Sequence, residues 1–425
     1  MSKTDFGPDV AGTMKGYRPV LLASGAVALI GLGWVAMFWN EMTATDWGVF
    51  TAVWMFLTGI TQFGVVFSAT MRICEAEWAR PYQRIAELAT LAFAPIAILG
   101  FALIYFGGRD ELLYWTHAGE GVHLSPWLND KFLFWRNLLA MLLFYAVANW
   151  YFVSGLLPDV EPSMAESGPA WRRALYRRLV KRKQGRDMER VEAQLWRIPT
   201  IVPVVFILNQ TFIAWDFGMM LWPHYHSTVY PMYSVVGNIF GGTALIILLG
   251  GLVAGMGDLG RYFTVERRRS LGAMATGFTL LWMYFFWSQF FVTWYGNLPN
   301  EMAPIWAKMY GHYQPLFWAM MACVFFIPLG TLIFAVVKRT FWMLGALAVI
   351  MLFGTWLNRY LMIMPSVSED HLQFSALTEI IIGGGFVAGF VFMLLLVYQT
   401  FPLISRWEMD MKDYRPDLAD RPHLW

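Results

Sequence analysis

The chain has 425 residues, of which 58% are hydrophobic, 17% aromatic and only 14% charged. Soluble domains carry about 25% charged residues, so this composition excludes an ordinary soluble enzyme and points to a protein held largely in lipid. A net charge of +2 gives no reason to expect a nucleic-acid partner; the placement of the charges is more informative.

Crossing the hydrocarbon core takes about 20 apolar residues. Ten segments qualify in chain order: 20–39, 49–71, 86–106, 132–156, 199–219, 232–256, 271–296, 315–337, 341–364 and 376–400. The pattern predicts an all-α polytopic membrane protein of about ten transmembrane helices. A polar segment, 1–19, precedes the first span, which has no small-residue cleavage site after it and reads as a retained span. Four spans fill 20–157, a basic loop covers 158–198, six spans fill 199–400, and 401–425 is a tail. With the N-terminus inside, 26 of the 31 Lys and Arg fall in inside segments, and every inside loop agrees. Cytoplasmic loops retain such residues, so both termini and the long basic loop are expected in the cytoplasm. Within that loop "WRRALYRRLVKRK" places Trp171, Ala174, Leu175, Leu179 and Val180 on one helical face and arginines on the other. It reads either as a helix lying on anionic headgroups or as a plain stop signal. Glycines four apart, at 237/241, 251/255 and 385/389, predict close helix contacts.

Unpaired polar groups are costly in hydrocarbon, so the few present are paired or functional. They are Thr58, Thr61, Gln62, Glu87, Asn149, Asn209, Gln210, Asp216, Tyr284, Ser288, Gln289, Asn358, Arg359 and Glu379. Asp216, Arg359 and Glu379 are expected near the outer surface and Glu87 near the inner one. Arg359 is available to neutralise either outer carboxylate. Polar groups reaching part way from one face are what a proton half-channel needs. Cys74 and Cys323 stand alone and read as small buried apolar residues, without the C-x-x-C spacing of an iron–sulfur or c-type haem site. No span carries the paired histidines of haem b. The expectation is therefore no metal site and no covalently bound cofactor, although His117, His123, His224, His226, His312 and His371 all fall on outer loops.

The segment "WDFGMMLWPHYHSTVYPMY" concentrates Asp216, His224, His226, Ser227, Thr228, Tyr230 and Tyr233 between two apolar runs. It resembles a motif of the ActF-type membrane subunit of alternative complex III, a relative of the NrfD/PsrC quinone-interacting proteins. Asp216, Met219, Leu221, Pro223, His224, Ser227, Thr228 and Tyr233 are in register, with Tyr225 where Trp is usual and Tyr230 where Phe is usual. "YFFWSQFFVTWYGNLPNE" is similar to a second motif through Tyr284, Ser288, Gln289, Trp294, Tyr295, Asn297, Pro299 and Glu301, and "WLNDKFLFWR" to a third through Leu128, Asn129, Phe132 and Arg136. The similarity runs along most of the spans in order. One departure stands near the end of the ninth span, where Thr355 and Asn358 replace a His and an Asp.

The resemblance implies two four-helix bundles and two peripheral helices. It implies a subunit of a quinol:electron-acceptor oxidoreductase in a bacterial inner membrane. An NrfD-like membrane subunit would lie beside it, and periplasmic iron–sulfur and c-type cytochrome subunits would take the electrons. The subunit itself would hold no redox cofactor, with quinol or quinone as a possible ligand. Histidine accepts a proton near neutrality, which makes Asp216 and His224 the candidate acid–base pair. Ser227, Tyr233, Tyr284, Ser288, Gln289, Glu301 and Glu379 are candidates for a quinone site or proton path. The alternatives are a scaffold and proton conduit whose partner does the quinol chemistry, and a secondary transporter.

Overall fold

A computed structural model describes residues 17–117, 125–222, 225–368 and 377–410. Among these residues every regular element is helical. Lipid offers no hydrogen-bond partners, so a spanning backbone pairs its own polar groups, and the helix does so. Nine described helices are long and apolar enough to span a membrane: α1 (Tyr17–Met37), α2 (Ala44–Ile73), α3 (Glu77–Leu112), α4 (Asp130–Asp159), α6 (Ala193–Leu221), α7 (Tyr230–Ala254), α10 (Gln314–Leu332), α11 (Phe341–Val367) and α12 (Leu377–Thr400). Between them lie α5 (Ala170–Gln184), α8 (Val265–Gly296) and α9 (Pro299–Met309), and a short α13 (Arg406–Asp410) ends the described chain. The protein is an all-α, multi-pass membrane protein.

The seventh span expected from the sequence is α8. At 32 residues it is long enough, but its Trp, Tyr, Ser and Gln side chains dilute its apolar character below that of the other nine. Local chemistry sets the ends of the elements. Thr43 and Asp46 form a capping box at the start of α2, and Asn129 caps α4 by accepting from the Phe132 amide at 3.0 Å. Asn297, left-handed at φ 46°, ends α8. The chain then enters α9 on Pro299, a residue suited to a helix start.

Helices α2, α3, α4 and α6 close one four-helix bundle, and α7, α8, α10 and α11 close a second. The pair α1 and α12 lies outside them, with α12 against α3 and α2. Helix α2 sits at the seam, touching α3 and α6 in its own bundle and α7 and α11 in the other, and its apolar stretch is wholly buried. Close approach is built from glycine. A Cβ on Gly64 would lie 2.1 Å from the Ala86 carbonyl oxygen of α3, and one on Gly31 of α1 would lie 2.8 Å from the Gly385 Cα of α12. Of the expected glycine pairs, 251/255 makes no such contact: the nearest neighbour of Gly251 is the Phe341 ring at 3.7 Å.

Two sequence expectations are corrected here. The basic loop contains its helix, α5, but the buried face centres on Tyr176 and Leu179, while Trp171 stays exposed. Tyr176 Oη donates to the Thr400 carbonyl at 2.9 Å, which pins α5 to the end of α12. Packing against protein, not the apolar stripe alone, fixes its orientation. Cys74, expected to be buried, is exposed just past the end of α2.

Replacing Gly64 by Ala should push α2 off α3 and lower the thermal midpoint sharply. Replacing Gly277, which has nothing within 4 Å, should leave it unchanged or raise it slightly, since Ala in a helix is better than Gly by about 1 kcal/mol. Thermal-shift measurements on detergent-purified variants check the contrast.

Candidate functional site

The end of the molecule that joins α4 to α6 and α8 is organised by one buried ion pair. Arg136, on the first turns of α4, reaches Asp216 near the end of α6; its Nε donates to Oδ2 at 2.8 Å and its second nitrogen to Oδ1. Trp127 Nε1 donates to the same carboxylate at 2.9 Å, and Asn137 Nδ2 donates to it as well. The guanidinium also donates to the Trp127 carbonyl at 2.7 Å and lies over the Trp127 ring, 4.1 Å from its centre. Arg136 is 7% exposed and Asp216 1%, so the pair is shielded from solvent and each charge depends on the other.

Trp127 forms part of the wall of a cleft of about 490 Å³ that opens at this end. His226, Ser227 and Thr228 from the α6–α7 connection, Gln289 and Thr293 from α8, and Glu301 from α9 supply its polar lining. Gln289 ties this lining together by hydrogen bonds. Ser227 Oγ donates to Gln289 Oε1 at 2.7 Å, and Gln289 Nε2 donates to Tyr225 Oη at 2.8 Å. Tyr225 and Gln289 also line a smaller cavity of about 60 Å³ inside the second bundle, with Tyr230, Tyr233, Lys308 and Asn358. Burial pushes the Tyr225 phenol well above its ordinary value, so it stays protonated.

Deeper in the protein a ladder of amides joins the bundles. Arg359 donates to the Ser234 carbonyl at 2.6 Å and to Asn238 Oδ1 at 2.9 Å. Asn238 donates to Gln210 Oε1 at 2.9 Å, Gln210 to Gln62 Oε1 at 2.7 Å, and Asn209 to the same Gln62 oxygen at 2.8 Å. The ladder runs α11–α7–α6–α2. Arg359, counted from sequence among the outer-side charges, is fully buried within α11. Its partners are amide, carbonyl and the Met362 thioether, not Asp216 or Glu379.

At the opposite, basic end a second network closes. Ser68 Oγ donates to Glu87 at 2.6 Å, Arg72 Nε donates to Tyr151 Oη at 3.0 Å, and Arg84 pairs with Asp159 at 3.2 Å. The strap after α12 folds onto it: Ser405 Oγ and the Trp407 amide donate to Asp159 at 2.9 and 3.0 Å, and Glu408 pairs with Arg72.

The sequence candidates therefore separate. Ser227, Gln289 and Glu301 meet in the cleft, and Tyr233 lies in the cavity behind it, where it accepts from Asn358 Nδ2. Asp216 lies behind the Trp127 wall and lines neither space. Tyr284 is 61% exposed on the outside of α8, and Ser288 lines neither cavity. Glu379 is buried at the start of α12, within electrostatic reach of Tyr360. His224 lies outside the described residues, as do His123 and His371. Lys308, Trp127, Asn137 and the Tyr225 hydroxyl were not singled out from sequence. Their one signal is a polar or indole group beside an apolar run, which many loop residues share.

No model of a known protein family matches the chain, and no curated protein matches it.

Breaking a buried ion pair by removing one partner costs about 3–5 kcal/mol. Asp216→Asn should therefore lower stability by that order, read as an early unfolding transition in a denaturant titration of the purified chain. Ser227→Ala, which loses one hydrogen bond worth about 1 kcal/mol, should shift it little.

Proposed function

We propose that this chain is the cofactor-free membrane subunit of a multi-subunit oxidoreductase that passes electrons from quinol to cytochrome c or another periplasmic acceptor, of the ActF type in alternative complex III, in a bacterial inner membrane. A quinol head group would occupy the cleft between Trp127, Ser227, Gln289 and Glu301. Its protons would leave at that face, taken by Glu301 and His226. Electrons would pass to iron–sulfur and c-type cytochrome partners, with an NrfD-like subunit alongside.

One observation carries this reading. The three stretches that resemble the family's motifs lie far apart in sequence yet meet at one end of the fold. Trp127 and Arg136 of one bind Asp216 of the second, and Ser227 and Tyr225 of the second bind Gln289 of the third. Aromatic walls with a few convergent polar groups suit a flat, hydroxylated ring. The placement of Asp216 behind that wall favours a positioning role for it, and hence a second reading: scaffold and proton conduit, with the quinol oxidised in the partner.

A photoreactive quinone analogue, applied to the native complex, separates the two. The first reading expects cross-links on the 219–229 or 289–301 segments; cross-links confined to a partner subunit leave the scaffold reading. In the same complex Gln289→Leu should reduce quinol turnover about tenfold, the equivalent of about 1.4 kcal/mol, with assembly intact. Unchanged turnover would remove Gln289 from the site. Purification of the native chain without a multihaem cytochrome or an iron–sulfur protein would sink both readings.

A further inference from the structure

The cavity behind Gln289 holds more polar chemistry than its walls can satisfy. The Tyr230 hydroxyl and Asn358 Oδ1 are fully shielded and have no hydrogen-bond partner, and both residues line the cavity. Tyr230 is 4% exposed and Asn358 3%. Buried polar atoms in native proteins are almost always paired, with protein or with ordered water. The cavity measures about 60 Å³, and a site of roughly 10–15 Å³ by this measure already holds a water. It has room for several waters and none for a quinol ring.

The lid of the cavity is α9. This helix places Pro304, Ile305, Lys308 and Met309 over the cavity, while Glu301, two turns earlier on the same face, lines the outer cleft. The Lys308 ammonium has no hydrogen-bond or ion-pair partner among the described residues. The ionisable groups facing it are the Tyr225 phenol from the loop before α7 and the Tyr230 and Tyr233 phenols of α7; Arg359 of α11 lies beyond Asn358 with its nitrogens turned to Ser234 and Asn238.

The geometry points to a hydrated chamber beneath α9 in which Lys308 is the proton-binding group. Its ligands are water and a proton. A chamber water carrying an extra proton gives it to the neutral ε-amine, whose lone pair forms the new N–H bond. Release reverses the step. Burial holds the Lys308 ammonium down to about 8, where both forms are populated near physiological pH. Lid helix α9 thus carries an acid facing the cleft and a base facing the chamber. Gln289 lines both spaces, and its Nε2 donates to the Tyr225 hydroxyl on the chamber side. The purpose of the chamber rests on the proton-transfer part of the proposed function, but its contents do not.

Two measurements on the isolated, detergent-purified chain test it without quinol or partners. Hydroxyl-radical footprinting modifies side chains beside buried water. Met320 and Met362 line the chamber at 2% and 1% exposure, whereas Met351 and Met364, at 0%, do not. The chamber methionines should be oxidised about fivefold faster or more, as ordered water would make them; equal rates mean a dry cavity and overturn the proposal. Competitive acylation with acetic anhydride across pH should label Lys308 with a midpoint near 8. A midpoint at the ordinary lysine value of about 10.4, or no labelling at any pH, would equally overturn it. Failure here leaves the quinone cross-linking result standing, and the reverse holds too.

Discussion

A helix that touches no lipid cannot leave a polar side chain to snorkel or to find water. The amide oxygen of Gln62 on α2 is such a group, and other helices answer it. Gln62 is answered from α6 by Asn209 and Gln210, and Gln210 is answered from α7 by Asn238. Through Arg359 the same line reaches α11. Four helices from two bundles are keyed in register by this pairing, and lateral slippage of one bundle along the other would break it at several points at once. The glycines of α2 belong to the same requirement. A Cβ on Gly59 would lie 2.0 Å from the Asn238 oxygen, so the amide reaches its place only because that side chain is absent.

Fixing the core in this way leaves each end free to specialise. At one end Arg136 and Asp216 lock the start of α4 to the finish of α6, and the chain beyond Asp216 has a defined starting point from which to build the cleft. A buried ion pair is a weak source of net stability against an apolar alternative, but it specifies geometry. At the other end the basic charges form a second shielded network closed by the strap at Ser405–Glu408. Polar groups thus enter from both ends and approach one another along α2, where Gln62 and Ser68 stand six residues apart. The Thr90 hydroxyl of α3 lies between, donating to the Thr61 carbonyl at 2.6 Å and accepting from the Val65 amide at 2.9 Å.

Much of this architecture was legible in the sequence. The apolar runs located the spans, because length and hydropathy are dictated by the bilayer and not by tertiary contacts. The same apolar pattern located α8 as a helix of 32 residues, although it is less apolar than the other nine. Ser227, Gln289 and Glu301 were legible as a group through the family resemblance. Pairings across tens of residues were not. Arg136 was legible as an outer charge and as part of a motif, but its pairing with Asp216 was not, since nothing local says that α4 and α6 are neighbours. Arg359 looked like a counter-ion for a carboxylate and instead binds amides. Glu408 lies past the last span in a tail without periodicity, so its ion pair with Arg72 had no signal at all. Lys308 has the same character: its meaning depends on which face α9 turns inward.

The functional account stands on orientation, since quinol protons are released usefully only at the outer face of the membrane. On the charge distribution, the account expects the basic end in the cytoplasm and the cleft on the opposite side. The chain carries its own reporter of this, because Cys74 is exposed at the basic end. A second reporter, Thr228→Cys, would sit exposed at the cleft. A membrane-impermeant maleimide added to right-side-out vesicles should label the cysteine at 228 at once and reach Cys74 only after permeabilisation. Immediate labelling of Cys74, with the cleft cysteine protected, would contradict the account.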